Sequence, residues 1–361
     1  MKKSVYFDNA AAAAADQEIL QLYLQLSTEY FANAEAIHTL AYRARQALQS
    51  AAKRLSSALF GSSDHPVIWG NSATELFRVA ASFDGFESSC ASVLEHPSLL
   101  ANLRNFTRLN TLNVTPAAQI DNIQLSECVD LASLYQVQSE LGAIQQTSAN
   151  FDKIAPRCRM IDAVQAAGKI PMDKNADIWI ISGVKFGAPG GAAMVLAPDG
   201  AFTDKLLAHA EKCRRENYAV SRISVPMMLA MTAALEKAVG NMTENFRMIS
   251  ELNHFIRCEC LNFGIVPTLP ETVAVSPYIL NLLLPTQESA VVIRALGERG
   301  VYAAAGSACS AESRQPSAAL SALGLPPKKA FRALRLSFGT ANRMEDAEIF
   351  LAELKTVLKN Y

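Results

Sequence analysis

An excess of charge of either sign is missing here. The chain has 33 Lys and Arg against 34 Asp and Glu, a net charge of −1 over 361 residues. No basic patch or like-charge run stands out, which argues against nucleic acid and against a charged binding tail. No apolar stretch reaches membrane-spanning length. Lys2 and Lys3 resemble the start of a signal peptide, but Asp8 and Asn9 interrupt any apolar core behind them. Seven cysteines, an odd number without framework spacing, fit a reducing cytoplasm better than a disulfide scaffold. His254 lies close to Cys258 and Cys260, but a fourth ligand is missing and the spacing matches no zinc pattern, so no metal is expected. Internal repeats and low-complexity linkers are missing too, apart from the alanine run Ala10 to Ala15.

What is present is a large apolar fraction, half of all residues, and enough length for about two domains. Short apolar runs alternate with helical patterns through the first 200 residues. Strands are expected at 4–7, 66–69, 91–94, 131–137, 158–162, 178–181 and 192–197. Helices are expected at 16–31, 40–60, 72–83 and 203–212. This alternation implies an α/β fold, a mainly parallel sheet with helices on both faces. One long helix over 224–261 then bridges to a smaller α+β unit. That unit has strands at 278–284 and 334–338, and helices at 288–299, near Lys328 and at 344–358.

In open α/β sheets, ligands bind outside the carboxyl ends of the strands. Thr74, His96, Ser139, Asp162 and Lys185 all fall just past expected strand ends, so one site can gather them. Lys185 stands between two apolar strands in the stretch Asp177-Ile-Trp-Ile-Ile-Ser-Gly-Val-Lys-Phe-Gly-Ala-Pro-Gly-Gly191. It reads either as a surface lysine in a hairpin turn or as an amine that forms a Schiff base with a carbonyl cofactor. Gly70-Asn-Ser-Ala-Thr-Glu75 reads as a strand, a turn and a helix with Ser72 and Glu75 spaced as a capping box. Such a helix start also suits an anion. Cys309 sits in a run of small residues beside Ser307 and Ser310. Arg335 alternates with Leu334 and Leu336, which suits either the solvent face of an edge strand or a carboxylate-binding position.

Nine ordered motifs carry a resemblance: Tyr6-Phe-Asp-Asn-Ala, Ile37-His-Thr-Leu, Ser72-Ala-Thr-Glu, Glu95-His96, Glu140-Leu-Gly, Asp162-Ala-Val-Gln165, Ser182-Gly-Val-Lys185, Gly306-Ser-Ala-Cys309 and Arg335-Leu-Ser-Phe-Gly. The chain resembles the cysteine desulfurases, class V aminotransferase-type enzymes of pyridoxal phosphate, from Tyr6 almost to its end. The resemblance implies the fold type I architecture. A large domain would span 13–240, and a small domain would join 1–12 to 241–361. It also implies pyridoxal 5′-phosphate as cofactor, L-cysteine as substrate and a homodimer. The sulfur acceptors would be iron-sulfur scaffold or tRNA-thiolation proteins.

By the same resemblance, Lys185 would hold the cofactor and shuttle protons. Asp162 would pair with the ring nitrogen, His96 would stack on the ring, and Gln165 would bond the ring hydroxyl. Thr74 and Ser182 would hold the phosphate, and Arg335 would grip the substrate carboxylate. Cys309 would take the sulfur as a persulfide and release alanine.

The departures are local. Val184 replaces the family's phosphate-contacting histidine. Gln138-Ser139-Glu140 replaces an Asn-Asn-Glu triplet, so Ser139 has a shorter reach toward cofactor and substrate. Residues 212–224 lack the family's glycine-rich segment; Ser221 or Arg222 is the substitute in view there. Gly187-Ala-Pro-Gly-Gly replaces Tyr-Gly-Pro-Lys-Gly. Two other outcomes are consistent with these changes. One is a different class V reaction such as that of a selenocysteine lyase. The other is a catalytically degenerate paralogue acting as a binding partner.

Overall fold

The computed structural model describes residues 3–216, 222–306 and 315–360. Its centre is a seven-stranded mixed sheet. In chain order the strands of the protein are β1 Val5–Tyr6, β2 Val67–Gly70, β3 Ser88–Ser92, β4 Arg108–Leu112, β5 Leu131–Tyr135 and β6 Cys158–Asp162. They continue with β7 Ile178–Ser182, β8 Ala192–Leu196, β9 Val266–Pro267, β10 Ile279–Leu283, β11 Val301–Tyr302 and β12 Ala333–Ser337. The large sheet runs β2-β8-β7-β6-β5-β3-β4. Strand β8 runs antiparallel to both its neighbours, β2 and β7, and every other pairing in this sheet is parallel.

Strands β3, β5, β7 and β8 are buried at every position, as expected of a sheet covered on both faces. One face packs under the helices Gln17–Glu29, Thr39–Phe60 and Val225–Gly240. The other packs under Ala73–Ala81, Pro97–Phe106 and Thr203–Arg215. A separate core joins Val5 and Phe7 to the three-stranded sheet β12-β10-β9 and to the helices Met242–Leu261 and Met344–Asn360. The chain start is sewn to this second core: β1 pairs with β11, and Ser337 N donates to Phe7 O at 2.7 Å.

Three expectations need correction. The helix read as continuous over 224–261 is two helices, Val225–Gly240 and Met242–Leu261, which serve different cores. Gly240-Asn241 is a stop signal, but the apolar periodicity on both sides concealed it. The strand placed at 91–94 lies at Ser88–Ser92. Its serines can be buried because partners distant in sequence bond them: Asp130 accepts from Ser88 N and Oγ at 3.0 Å, and Ser89 Oγ meets Thr107 Oγ1 at 2.6 Å. Finally, β4 and the helix Thr147–Ile154 had no counterpart in the sequence reading. Strand β4 is a mostly exposed sheet edge, so it lacks the apolar run that marks its neighbours.

Candidate active site

The carboxyl ends of β5, β6 and β7, the start of helix Ala73–Ala81 and the segment after β1 enclose a cavity of about 320 Å³. Thr74, His96, Ser139, Asp162, Gln165, Ser182, Lys185 and Arg335 all line it, together with Val184. Every sequence-predicted site residue except Cys309 is therefore in one place. Cys309 lies outside the described residues, as does Ser221.

Lys185 ends a short 3₁₀ turn, Gly183–Lys185, that directly follows β7. The turn needs glycine at its start, because a Cβ on Gly183 would come within 2.3 Å of Gly190 O. The half-buried ammonium of Lys185 donates to Ala10 O at 2.9 Å and to Ala11 O, and it forms no ion pair among the described residues. Burial, and then the nearby charge of Arg335, depress its pKa. The surface-hairpin reading of Lys185 is thus excluded: the alanine run Ala10 to Ala15 reaches across from the second core and caps the amine.

Asp162 ends β6. Its Oδ1 accepts from Val164 N at 2.9 Å, and its second oxygen takes no hydrogen bond among the described residues. Burial raises its pKa from the ordinary 3.8 to about 6, against the opposing pull of that amide and of Lys185. Glu95, which feels the Asp162 charge, is buried, with Oε1 accepting from Tyr135 N at 2.6 Å and Oε2 unpartnered among the described residues. Burial, and then the Asp162 charge, push the Glu95 carboxyl well above the usual carboxylate range. That shift favours the neutral form of Glu95 beside Asp162.

His96 caps the helix Pro97–Phe106 and presents its ring to the cavity. Its Nδ1 accepts from Ser98 N at 3.2 Å and meets Ser98 Oγ at 2.7 Å, so the neutral ring carries its proton on Nε2. Burial and the Lys185 charge lower its pKa, which favours that neutral form. Ser98 also accepts from Thr74 Oγ1 at 3.2 Å, so one serine orients two site residues.

The helix Ala73–Ala81 begins at the cavity rim. Ser72 Oγ accepts from Glu75 N at 3.2 Å, and Glu75 Oε2 accepts from Asn71 N at 2.6 Å, a capping box displaced by one residue. The first-turn amides have no intrahelical acceptors, so they and the helix dipole suit an anion beside Thr74 and Ser182. Arg222 returns close by: its carbonyl accepts from Asn71 Nδ2 at 3.4 Å.

Arg335 settles the alternative left open by its sequence context. It is buried at 4% exposure rather than facing solvent. Its Nη2 pairs with Asp8 Oδ1 at 2.7 Å, and its Nη1 donates to Ser139 O at 3.2 Å. Asp8 belonged to a quoted motif but had no assigned role; the bridge Asp8↔Ser337 sets it beside β12.

His254 and Cys258 are exposed neighbours, with Cys258 Sγ 3.5 Å from His254 Nε2, while Cys260 faces the second core. No group of potential metal ligands occurs among the described residues.

Pyridoxal 5′-phosphate needs an unpaired amine, an anion for its ring nitrogen, a flat wall and donors for its phosphate. Lys185, the free oxygen of Asp162, the His96 ring and the start of helix Ala73–Ala81 meet those needs in order. The residues fit that group.

This fold and this site define a class of protein, and the comparisons agree. The Aminotransferase class-V profile matches residues 5–350. The chain belongs to the class V aminotransferase family. A cysteine desulfurase of Gluconacetobacter diazotrophicus is 27% identical, covering 96% of this chain and 91% of its own. The cysteine desulfurase IscS of Methanosarcina thermophila is 25% identical, covering 99% and 92%. Among solved structures, a NifS-like protein superimposes with a TM-score of 0.84 at 19% identity, covering 99% of this chain and all of its own. A NifS-like protein from Rickettsia africae gives 0.83 at 17%, with the same coverage. These structural matches bear out the fold class expected from the sequence. No helix among the described residues is long and apolar enough to cross a membrane.

Proposed function

We propose that this protein is a pyridoxal-phosphate-dependent cysteine desulfurase, converting L-cysteine to L-alanine and keeping the sulfur on Cys309. The supporting observation is the one cavity that gathers a lysine whose pKa is lowered first by burial, a buried aspartate, a histidine of lowered pKa and a buried arginine. When bound, the cofactor supplies an electron sink for the substrate's α-carbon.

The chain's own residues do the rest. Lys185, its pKa lowered by burial and then by Arg335, gives up its proton more readily for covalent attachment and then moves protons at Nζ. Asp162 holds a proton on the ring nitrogen through its free oxygen. Neutral His96 covers the ring face, and the Nε2 proton lies on the far side from Ser98. Thr74, Ser182 and the first turn of Ala73–Ala81 hold the phosphate. Arg335, with Ser139 beside it, receives the substrate carboxylate; Asp8 must share or yield the guanidinium. Cys309 attacks the substrate sulfur as a thiolate. The carbon–sulfur bond breaks, a persulfide forms on Cys309, and alanine leaves after protonation.

The same reading divides the chain at about residue 240. It also makes the protein a cytoplasmic homodimer that passes sulfur to iron-sulfur scaffold or tRNA-thiolation proteins. Supporting a dimer, Leu24, Phe31, Ile37 and Tyr42 on the first two helices and their connection are more than half exposed. Sedimentation at twice the 39.0 kDa chain mass checks this, and a monomer overturns it.

The functional test is an absorbance spectrum before and after L-cysteine under reducing conditions, with sulfide and alanine assayed together. A visible band with equal amounts of sulfide and alanine is expected. A band with turnover of selenocysteine but not cysteine would move the reading to a lyase. No band with added cofactor would overturn it in favour of a binding role.

A further inference from the structure

Lys169 has no role in the chemistry above, yet it lies behind the site. It is 6% exposed and forms no ion pair among the described residues. A buried ammonium without a counter-ion is costly, so its surroundings bear on what it does. Its Nζ donates to Gln165 Oε1 at 3.1 Å and stands 5.6 Å from the centre of the Tyr278 ring. The two residues are four apart on the helical turn after β6, which closes through Ala167 N to Ala163 O at 2.9 Å. Gly168 has φ +70°, and a Cβ there would come within 2.7 Å of Ala238 Cβ. The turn is therefore pressed against helix Val225–Gly240, and Lys169 is delivered inward.

This contact decides which way the Gln165 amide points. An ammonium only donates, so the oxygen of Gln165 must face Lys169. On the other side Nε2 donates to Ala10 O at 2.9 Å, which demands the same orientation. One N–H of Nε2 is left over, and Gln165 lines the cavity. The wall presents a donor there and cannot present an acceptor.

We infer that Lys169 is a positioning residue: it locks Gln165 as a hydrogen-bond donor and places positive charge behind it, so this wall selects an anionic oxygen. The inference rests on the proposed cofactor, whose ring hydroxyl oxygen is the group that Gln165 meets. The other charged or titratable groups lining the cavity are Lys185, Asp162, His96, Tyr135 and Arg335; Asp8 pairs with Arg335, Glu95 accepts from Tyr135 N, and the Tyr278 ring faces Lys169 itself. Of these, Lys185 acts on Lys169, second to burial, and together they bring its pKa to about 7.

The test uses the cofactor-loaded protein and two readouts, the pH midpoint of its visible absorbance band and the cofactor dissociation constant. Positive charge behind the oxygen favours the deprotonated form of the chromophore, so removing it raises the midpoint. Lys169→Met is expected to move the midpoint up by on the order of one pH unit and to weaken cofactor binding severalfold. Lys169→Gln keeps a donor for the Gln165 oxygen without the charge. It should restore binding and leave the midpoint raised, and it carries the test if the methionine variant misfolds. In a Gln165→Leu background the effect of Lys169→Met should shrink to less than half. A normal wild-type band with unmoved midpoints in both lysine variants overturns this inference alone. So does a shift fully retained without Gln165. No wild-type band with added pyridoxal phosphate overturns the cofactor reading and this inference with it.

Discussion

On the proposed cofactor reading, the ring end and the phosphate end of the cavity are built by different means. At the ring end Asp162, Gln165, Lys185 and Arg335 are buried or half-buried and each is pinned by a second group, whereas His96 is exposed. Asp162 is held by the Val164 amide, Gln165 by Lys169 and Ala10, Lys185 by two carbonyls, and Arg335 by Asp8 and Ser139. At the phosphate end, Ser72 and Thr74 are exposed, and the principal donors are the first-turn amides of a helix. Backbone amides do not depend on side-chain identity, so that end can tolerate Val184 and a rewritten 212–224 segment. Buried charges at the ring end can be exchanged only together with their partners. The departures from the family pattern fall mostly where the physics is permissive.

The largest effect should come from breaking the ring end at its centre. Lys185→Ala is expected to abolish the visible band and sulfide release while the protein stays folded. A persistent band would place the covalent attachment on another lysine.

Asp162→Asn separates the stability of the empty protein from its chemistry. The folded carboxyl binds its proton more tightly than the unfolded one, about 6 against 3.8. Its contribution to stability is therefore present below pH 3.8 and lost as pH rises through 6. The asparagine variant of the cofactor-free protein should be more stable than wild type by roughly 2–3 kcal/mol at pH 8, with no gain near pH 3.5. Its loaded form should lose activity by on the order of a hundredfold. Denaturant unfolding at the two pH values checks the first part, and an equal gain at both would refute the linkage.

Val184→His sharpens the comparison from the phosphate side. A charge-assisted bond to phosphate should tighten cofactor binding by about three- to tenfold, with little change in the pH midpoint of the band. No gain in affinity would mean that the remaining donors already saturate the phosphate. The smallest effect is expected for Ser72→Ala, which removes a helix cap worth about 1 kcal/mol and leaves the first-turn amides in place. Thermal unfolding and a cofactor titration would check it; a large loss of affinity would show that Ser72 itself is a phosphate ligand.

Much of this site was legible because its residues follow strand ends. Strand β7 is a run of Ile, Trp and Ile ending at a serine and glycine, so Lys185 had to emerge at the carboxyl edge of the sheet. Asp162 and Ser139 follow from the same logic on β6 and β5. The cap at Ser72 was visible as spacing, although Glu75 reaches Asn71 rather than Ser72. The partners were not legible. Asp8 and Arg335 are 327 residues apart in sequence, and no local pattern announces their bond. Ser98 carries no motif of its own, yet it orients both His96 and Thr74. Lys169 lies four residues from Gln165, a spacing open to inspection, but its burial against Tyr278 depends on the turn before β10, more than a hundred residues away.

The sequence by itself determined the layered α/β architecture, the positions of the chemical side chains at strand ends and the family pattern. Those depend on local apolar runs, glycine turns and caps, which act over a few residues. Tertiary structure decided the protonation and orientation of the same side chains. Burial sets whether Lys185, Asp162 and Lys169 hold their ordinary charges, and burial is known only when distant segments close over them. The Ala10 carbonyl that meets both Lys185 and Gln165 belongs to such a segment, a stretch of alanines whose role comes only from where the fold places its backbone.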